Sequence, residues 1–254
     1  MKKAVILIPT FNEALTIIEL LVKLNKYRGD EKLDFDALII DDNSPDKTAQ
    51  LVKGLVAELG LNWVRVMHRP KKAGLGAAYR AGFADVLSLE KYSHIVTMDA
   101  DGSHRVQDLP AMFSAAGSGK SITLGTRWMP DGAVVNWPLA RQLLSKAGTK
   151  YAKLSLGIPL RDLTGGFRIY SAELLNSLNL SSMDATGYCF QIEMALAANL
   201  AGATSQEVPI TFVERKSGVS KMSKAIVVEA LIQTTRWAIS RRLRPNADKL
   251  HYVK

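Results

Sequence analysis

The sequence predicts an α/β fold: a mostly parallel central sheet flanked by helices. Three observations carry this. Short apolar runs alternate with helical patterns four times in the first half of the chain. Several of those runs end in acidic or polar residues, and in parallel sheets ligands gather beyond the carboxyl ends of the strands. The 254 residues, 47% apolar and 22% charged, suffice to bury a core without covalent staples.

The elements follow in order. "KAVILIPTFNEA" reads as a buried strand over residues 4–8 and a turn at Pro9-Thr10. A helix follows over about 13–24, with Leu20, Leu21 and Leu24 at helical spacing and Thr10 or Asn12 as its cap. "FDALIIDDNSPDKT" repeats the scheme. Its strand, 37–40, ends in Asp41-Asp42, and Ser44-Pro45-Asp46 signals a turn and a helix over 47–59 that stops at Gly60. A third strand covers 63–67, a glycine-rich helix runs to about 89, and a fourth strand over 94–98 again ends in acid. The second half is less regular. It predicts a strand at 121–125, a helix at 139–156, a short strand in "TGGFRIYS", a helix at 190–200, a strand at 206–213, and a long helix at 221–243. The last ten residues read as a frayed tail, and no internal repeat or low-complexity tract interrupts the chain.

Composition narrows the function classes. The single cysteine, Cys189, rules out an internal disulfide and has apolar neighbours, so it reads as a buried inert thiol. Met1-Lys2-Lys3 is basic, but the apolar run behind it is too short for a secretory signal. No stretch approaches the roughly 20 apolar residues of a membrane span. The expectation is a cytoplasmic protein, free or peripheral to a membrane. Net charge is +9, and residues 215–254 carry +8 of it. Charge so concentrated argues against a diffuse nucleic-acid footprint and for a local anionic partner, phosphate or lipid surface.

Several clusters can carry chemistry. Asp99-Ala100-Asp101 offers hard oxygen ligands that suit Mg²⁺ or Mn²⁺ shared with substrate phosphates; alone, the same pair equally suits a turn or cap. Asp41-Asp42 reads either as turn residues or as partners of a base or ribose, and "PTFNEA" as a helix cap or one wall of a nucleotide pocket. Gly74, Gly76 and Gly82 match neither the dinucleotide nor the P-loop spacing, and read as small residues that let a helix pack closely on the sheet. Arg215 and Lys221 flank Gly218, either in an exposed basic loop or in one able to close over phosphates; Arg127 and Arg141 are further cations after crevice-side turns. No Ser-His-Asp or zinc pattern is present, and His104 reads as a polar turn residue.

Taken together, "IPTFNEA", "IIDDNSPDKT", "GLGAAYRAGF", "MDADGSH", "GTRW", "DLTGGFRIYS", "GYCFQIEM" and "FVERKSGVSKMS" resemble, in order and spacing from about residue 5 to 223, the family 2 glycosyltransferases of GT-A fold. The closest branch is that of the dolichol- or polyprenol-phosphate mannosyltransferases. The resemblance implies a GT-A domain over 1–223 with a Rossmann-like N-terminal half, then an amphipathic basic helix and tail over 224–254, peripheral to a membrane. It implies transfer of mannose from GDP-mannose to a polyprenyl monophosphate, with inversion and with Mg²⁺ or Mn²⁺ as cofactor. By position, Pro9, Phe11, Glu13, Ile40 and Asp42 would line the guanosine pocket, and Ala100 would contact the nucleotide. Asp99, Asp101 and Ser103 would hold the metal, although Ser103 stands where some relatives carry glutamine. Arg127, Arg215 and Lys221 would hold phosphates, and Arg141 the acceptor phosphate, with Asp101, Arg127 and Arg141 the catalytic set. Asp162, Arg168, Gln191 and Glu193 would shape the sugar and acceptor end; for Arg168 an ion pair bracing the insertion is the structural alternative. The expected partners are GDP-mannose, the lipid phosphate and a membrane surface, with room for a separate membrane-embedded partner and none for nucleic acid. UDP-glucose is the alternative donor. A non-catalytic membrane-surface module is the alternative class, and the intact Asp99/Asp101 pair argues against it.

Overall fold

The computed structural model describes residues 3–185, 187, 189–215 and 224–254, the side chains of 224–226, 245, 247 and 248 excepted. The first half alternates as its periodicity requires: β1 (Ala4–Thr10), α1 (Ala14–Asp30), β2 (Phe35–Asp41), α2 (Thr48–Leu59), β3 (Val64–His68), α3 (Leu75–Ser88) and β4 (His94–Thr97). Then come α4 (Leu109–Ser114), β5 (Ser121–Thr126), β6 (Ala133–Val135), α5 (Leu139–Leu156), β7 (Arg168–Ser171), α6 (Ala172–Ser177), α7 (Cys189–Leu200), β8 (Thr204–Pro209), β9 (Thr211–Val213), α8 (Lys224–Leu243) and α9 (Pro245–Tyr252).

Seven strands form one sheet in the order β3-β2-β1-β4-β7-β5-β8, and β6 pairs with β9 beside it. Among the described residues, only β7 runs antiparallel in the large sheet, against β4 and β5. Chain order reverses on either side of β1, so a crevice opens at the carboxyl ends of β1 and β4. Register sets what meets there: Thr10 pairs with Asp41, and Leu7 with Thr97, two residues before Asp99.

Strand alternation sends side chains into two cores. Ile6, Ile8, Ala37 and Ile39 pack with Ile17, Leu21 and Val52 of α1 and α2 on one face. Val5, Leu7, Leu38 and Ile40 pack with Tyr79, Phe83 and Phe190 of α3 and α7 on the other. A Cβ at Gly82 would lie 2.5 Å from Ile40 Cδ1 and 3.1 Å from Leu7 Cδ1, so α3 sits on the sheet at glycine distance.

Four expectations are corrected. Helix α1 runs to Asp30, six residues past Leu24, because the polar tail of the helix keeps helical spacing to Tyr27 at its buried edge. Neither Thr10 nor Asn12 caps it: the start of α2 and the turn before it do, through Thr48 Oγ1 accepting from Glu13 N at 3.1 Å and Asp46 Oδ2 from Ala14 N at 3.0 Å. The strand expected over 206–213 is two, parted at the buried Ile210, so that β8 joins the large sheet and β9 the small one. The C-terminal residues are no frayed tail: Tyr252 is buried in the α3–α7 core, Val253 bridges Leu178, and Lys254 N bonds Ser177 O at 2.9 Å. Thr234 and Ala238 of α8 are buried as well, so 224–254 packs as part of the same body.

Candidate active site

Strand β4 ends at Thr97, and the chain turns over Met98 to deliver Asp99 and Asp101 to the crevice. Several contacts fix that turn. Asp99 N donates to His104 Nδ1 at 3.0 Å, which leaves the His104 proton on Nε2, 3.8 Å from Asp99 Oδ2. His104 is held flat on the Phe167 ring, centroids 5.1 Å apart. Asp101 Oδ1 accepts from Ser103 N at 3.1 Å and from Ser103 Oγ at 2.5 Å, while its Oδ2 lies 3.4 Å from Arg215 Nη2. Burial works to raise the Asp101 pKa; the Ser103 hydroxyl and the nearby Arg215 charge outweigh it and lower it.

A cavity of about 350 Å³ opens from this pair. At one end stand Asp99, Asp101, Arg127, Arg141 and Arg215; Thr164, Gly165 and Gly166 form a wall; the other end lies between α5 and α8, among Leu144, Gly148, Tyr151, Val227, Ala230 and Leu231. The wall is tied to β4, since Thr97 Oγ1 donates to Gly166 O at 2.7 Å. The cations there have carboxylate partners. Arg127 is clamped by Asp162 through Nε at 2.6 Å and Nη2 at 2.8 Å, and its guanidinium lies among the rings of Trp128, Trp137 and Phe212. Arg141 pairs with Glu214 and stacks on Trp137 at 3.9 Å.

The predicted site residues thus divide. Asp99, Asp101, Arg127, Arg141 and Arg215 meet on one cavity, and the hard oxygens of Asp99 and Asp101 fit a divalent cation. Ser103 departs from the expected three-ligand set: it is 1% exposed and its hydroxyl is spent on Asp101, which it holds in place. Pro9, Phe11, Glu13 and Asp42 lie at the ends of β1 and β2, outside this cavity's lining. Asp42 binds Arg69 at 2.7 Å; burial raises its pKa, against the pull of Arg69. Ile40 has its side chain in the core beside Gly82, and Ala100 is 3% exposed, so only their main chains can face a nucleotide. Lys221 lies outside the described residues.

Of the four residues expected at the sugar and acceptor end, three brace the protein. Asp162 is fully buried on Arg127; burial acts to raise its pKa, but the Arg127 charge and several N–H donors lower it. Arg168 is fully buried and makes no acidic pair among the described residues; it donates to the carbonyls of Leu163, Gly165 and Gln191. Glu193 accepts from Ala185 N at 3.2 Å and Tyr252 Oη at 3.2 Å, which fastens the C-terminus to α7. Of the four, Gln191 is the one whose buried side chain has no hydrogen-bond partner among the described residues.

Sequence reasoning missed Arg69, which pairs with Asp42, and Lys72, which sits 4.1 Å over the Phe11 ring. Both follow β3, and their place at the same sheet edge was the available signal. It also missed Trp137, whose ring meets both Arg127 and Arg141, and Phe212, which reaches Arg127 from a segment far apart in sequence.

Comparison with known proteins agrees with this architecture. The model of glycosyl transferase family 2 matches residues 5–178. A polyprenol monophosphomannose synthase of Mycolicibacterium smegmatis is 40% identical over 95% of this chain and 89% of its own. An undecaprenyl-phosphate mannosyltransferase of Micrococcus luteus is 42% identical over 93% of this chain and 94% of its own. Among solved structures, glucosyl-3-phosphoglycerate synthase of Mycobacterium tuberculosis, in complex with uridine diphosphate, superposes with a TM-score of 0.67 at 17% identity over 93% of this chain and 80% of that one, a likeness of fold. On the family match and the two close relatives, the chain belongs to glycosyl transferase family 2 and is a glycosyltransferase.

Proposed function

We propose that the protein transfers mannose from GDP-mannose to a polyprenyl monophosphate with inversion, at a membrane surface. The observation that carries this is the two-ended cavity: acids and arginines at one end, the apolar walls of α5 and α8 at the other. A lipid phosphate has the same two ends. The names of the two relatives reported above, both lipid-phosphate mannosyltransferases, support it further.

The chemistry asks little of a general base, because a phosphate monoester is already anionic near neutral pH. Its oxygen attacks the anomeric carbon from the face opposite the diphosphate. The new C–O bond forms as the bond to the diphosphate breaks, and GDP departs with the electron pair. What the enzyme must supply is charge placement. Asp99 and Asp101 would hold Mg²⁺ or Mn²⁺, which when bound neutralises the departing diphosphate. Ser103 and His104 keep those two carboxylates oriented. Arg215 would exchange Asp101 for a donor phosphate, and Arg141 would exchange Glu214 for the acceptor phosphate. Arg127, held by Asp162, lends a fixed positive edge to the same wall. Pro9, Phe11, Glu13 and Asp42 would receive the guanosine, and Lys221 would join Arg215 on the phosphates.

At the membrane, the exposed leucines of α5 and the exposed aliphatic residues of α8 would meet the lipid beside the basic C-terminal segment. No helix among the described residues is long and apolar enough to cross a bilayer.

The test is transfer from radiolabelled GDP-mannose to undecaprenyl phosphate by the purified protein with Mn²⁺, with UDP-glucose run in parallel. A β-linked mannosyl lipid, lost roughly 100- to 1000-fold in Asp101→Asn, is the expected result. Transfer from UDP-glucose instead, or full activity in Asp101→Asn, overturns the donor or the mechanism respectively.

A further inference from the structure

Two arginines of the cavity share one ring. Trp137 lies in the link between β6 and α5, lines the cavity and is 8% exposed. Arg141 Cζ stands 3.9 Å over the centre of its indole, and Arg127 Cζ 5.3 Å over it. The ring is itself fixed. Phe212 meets it edge-on at 5.3 Å, Trp128 lies 6.3 Å away, and the Gln142 amide donates to Trp137 O at 3.1 Å.

The two arginines need that ring unequally. Arg127 is held without it: Asp162 accepts from Nε and Nη2, and Thr164 Oγ1 accepts from Nη2 at 2.8 Å. Arg141 has one carboxylate partner among the described residues, Glu214 on Nη1, and its buried Nε has no hydrogen-bond partner there. It also stands in the first turn of α5, where the helix dipole repels a positive side chain and no acidic residue offsets it. Once a phosphate displaces Glu214, the indole is the described contact that still holds the guanidinium.

A ring holds an arginine in a way that a carboxylate cannot. The π face attracts the guanidinium through its plane and leaves its N–H edge free. An acid claims that edge and competes with an arriving phosphate. Stacked on indole, Arg141 stays charged, ordered and available, so less side-chain freedom is lost when the phosphate binds.

We propose that Trp137 is the positioning residue of Arg141: its indole keeps the guanidinium at the cavity while Glu214 gives way to the acceptor phosphate. This rests on the reading of Arg141 as the acceptor-phosphate arginine and names the residue that holds it ready.

The test is steady-state kinetics of Trp137→Phe, Trp137→Leu, Arg141→Lys and the double variant Trp137→Leu/Arg141→Lys. Undecaprenyl phosphate and the short farnesyl phosphate serve as acceptors, with whichever nucleotide sugar the wild type uses as donor. Trp137→Phe keeps an aromatic face, and Trp137→Leu keeps only apolar bulk. The acceptor KM should rise about 2- to 3-fold in the first and roughly 5- to 30-fold in the second, equally for both acceptors, while the donor KM holds. Lysine keeps the charge of Arg141 but lacks the planar group that stacks, so in Arg141→Lys the further change of Trp137 to Leu should add little. Several outcomes overturn the proposal. An acceptor KM unchanged in both ring variants shows that the ring does not act on Arg141. Donor and acceptor KM rising together with a lowered Tm, or losses that multiply in the double variant, mark the ring as packing alone. A loss confined to the long acceptor makes Trp137 a contact of the lipid chain. Failure of the underlying reading looks different: Arg141→Lys by itself then keeps the wild-type acceptor KM, and the proposal falls with it.

Discussion

Asp162 shows how much a single residue's role depends on what surrounds it. Its carboxylate accepts from Arg127 N, Nε and Nη2, from Thr164 N and from Gly165 N, all within 3.2 Å. Asp162→Asn keeps the shape and leaves Arg127 charged, buried and unpaired, so the folded state should lose about 3–5 kcal/mol in urea unfolding at pH 7. The pH dependence has a fixed sign. The folded pKa of Asp162 lies below the ordinary 3.8, so its stabilisation is complete above that value and fades as pH falls through the lowered one. The gap between wild type and Asp162→Asn should therefore be constant from neutral pH down to about 5 and close only in stronger acid. Ser103→Ala makes a second prediction at this scale. With Asp101 released from its 2.5 Å hydroxyl bond, Mn²⁺ affinity should weaken several-fold while Tm changes by little, read by titration with GDP present. The acid pair was legible in the sequence because both carboxylates sit within three residues at a strand end. The bracing roles of Asp162, Arg168 and Glu193 were not, because their partners Arg127, Gln191 O and Tyr252 are set by tertiary contact.

At the scale of elements, the alternation of β1 to β4 with α1 to α3 was legible because each carries one dominant period, two for the strands and 3.6 for the helices. The second half was harder: β8 and β9 are contiguous in sequence yet belong to different sheets, and no local pattern encodes which neighbour a strand will choose. The glycines of the helices show the same division between local and tertiary causes. A Cβ at Gly76 would run into the main-chain carbonyl of Ala185 and lie 3.0 Å from Phe190 Cδ2, whereas one at Gly54, in α2, meets nothing within 4 Å. Both positions are helical, so propensity alone favours alanine at each. Gly54→Ala should stabilise by about 0.5–1 kcal/mol, while Gly76→Ala should destabilise by about 1–3 kcal/mol despite the same gain. Thermal unfolding of the two single variants checks both signs, and a stabilising Gly76→Ala would mean that the 185 segment yields freely.

For the whole molecule, the question is how a catalytic cavity reaches a substrate dissolved in lipid. The basic C-terminal segment was visible in the sequence, but helix α5 was not recognisable as its companion, because which of its leucines stay exposed is set by its packing against α8. In the structure Leu139, Leu143 and Leu154 are 75%, 67% and 69% exposed, and on the neighbouring α8 Val228, Ile239 and Leu243 are 52%, 52% and 76% exposed. The two helices also wall the apolar end of the cavity, where the exposed Leu144 and Leu231 mark its mouth. Removing residues 224–254 is a poor test of membrane binding, since Thr234, Ala238 and Tyr252 belong to the core and their loss would disturb the fold. Exposed positions give a cleaner one. Leu139→Gln, Leu143→Gln and Leu154→Gln combined with Ile239→Gln and Leu243→Gln remove apolar surface that water already touches, so Tm should stay within a few degrees. Flotation with vesicles containing anionic lipid should fall at least about tenfold, as expected when several partly inserted side chains lose their apolar contribution. Arg241, Arg242 and Arg244 remain in that variant, so salt sensitivity of the residual binding should persist. Undiminished flotation of the five-fold variant would show that charge alone holds the protein to the surface, and would remove α5 and α8 from the membrane-facing side.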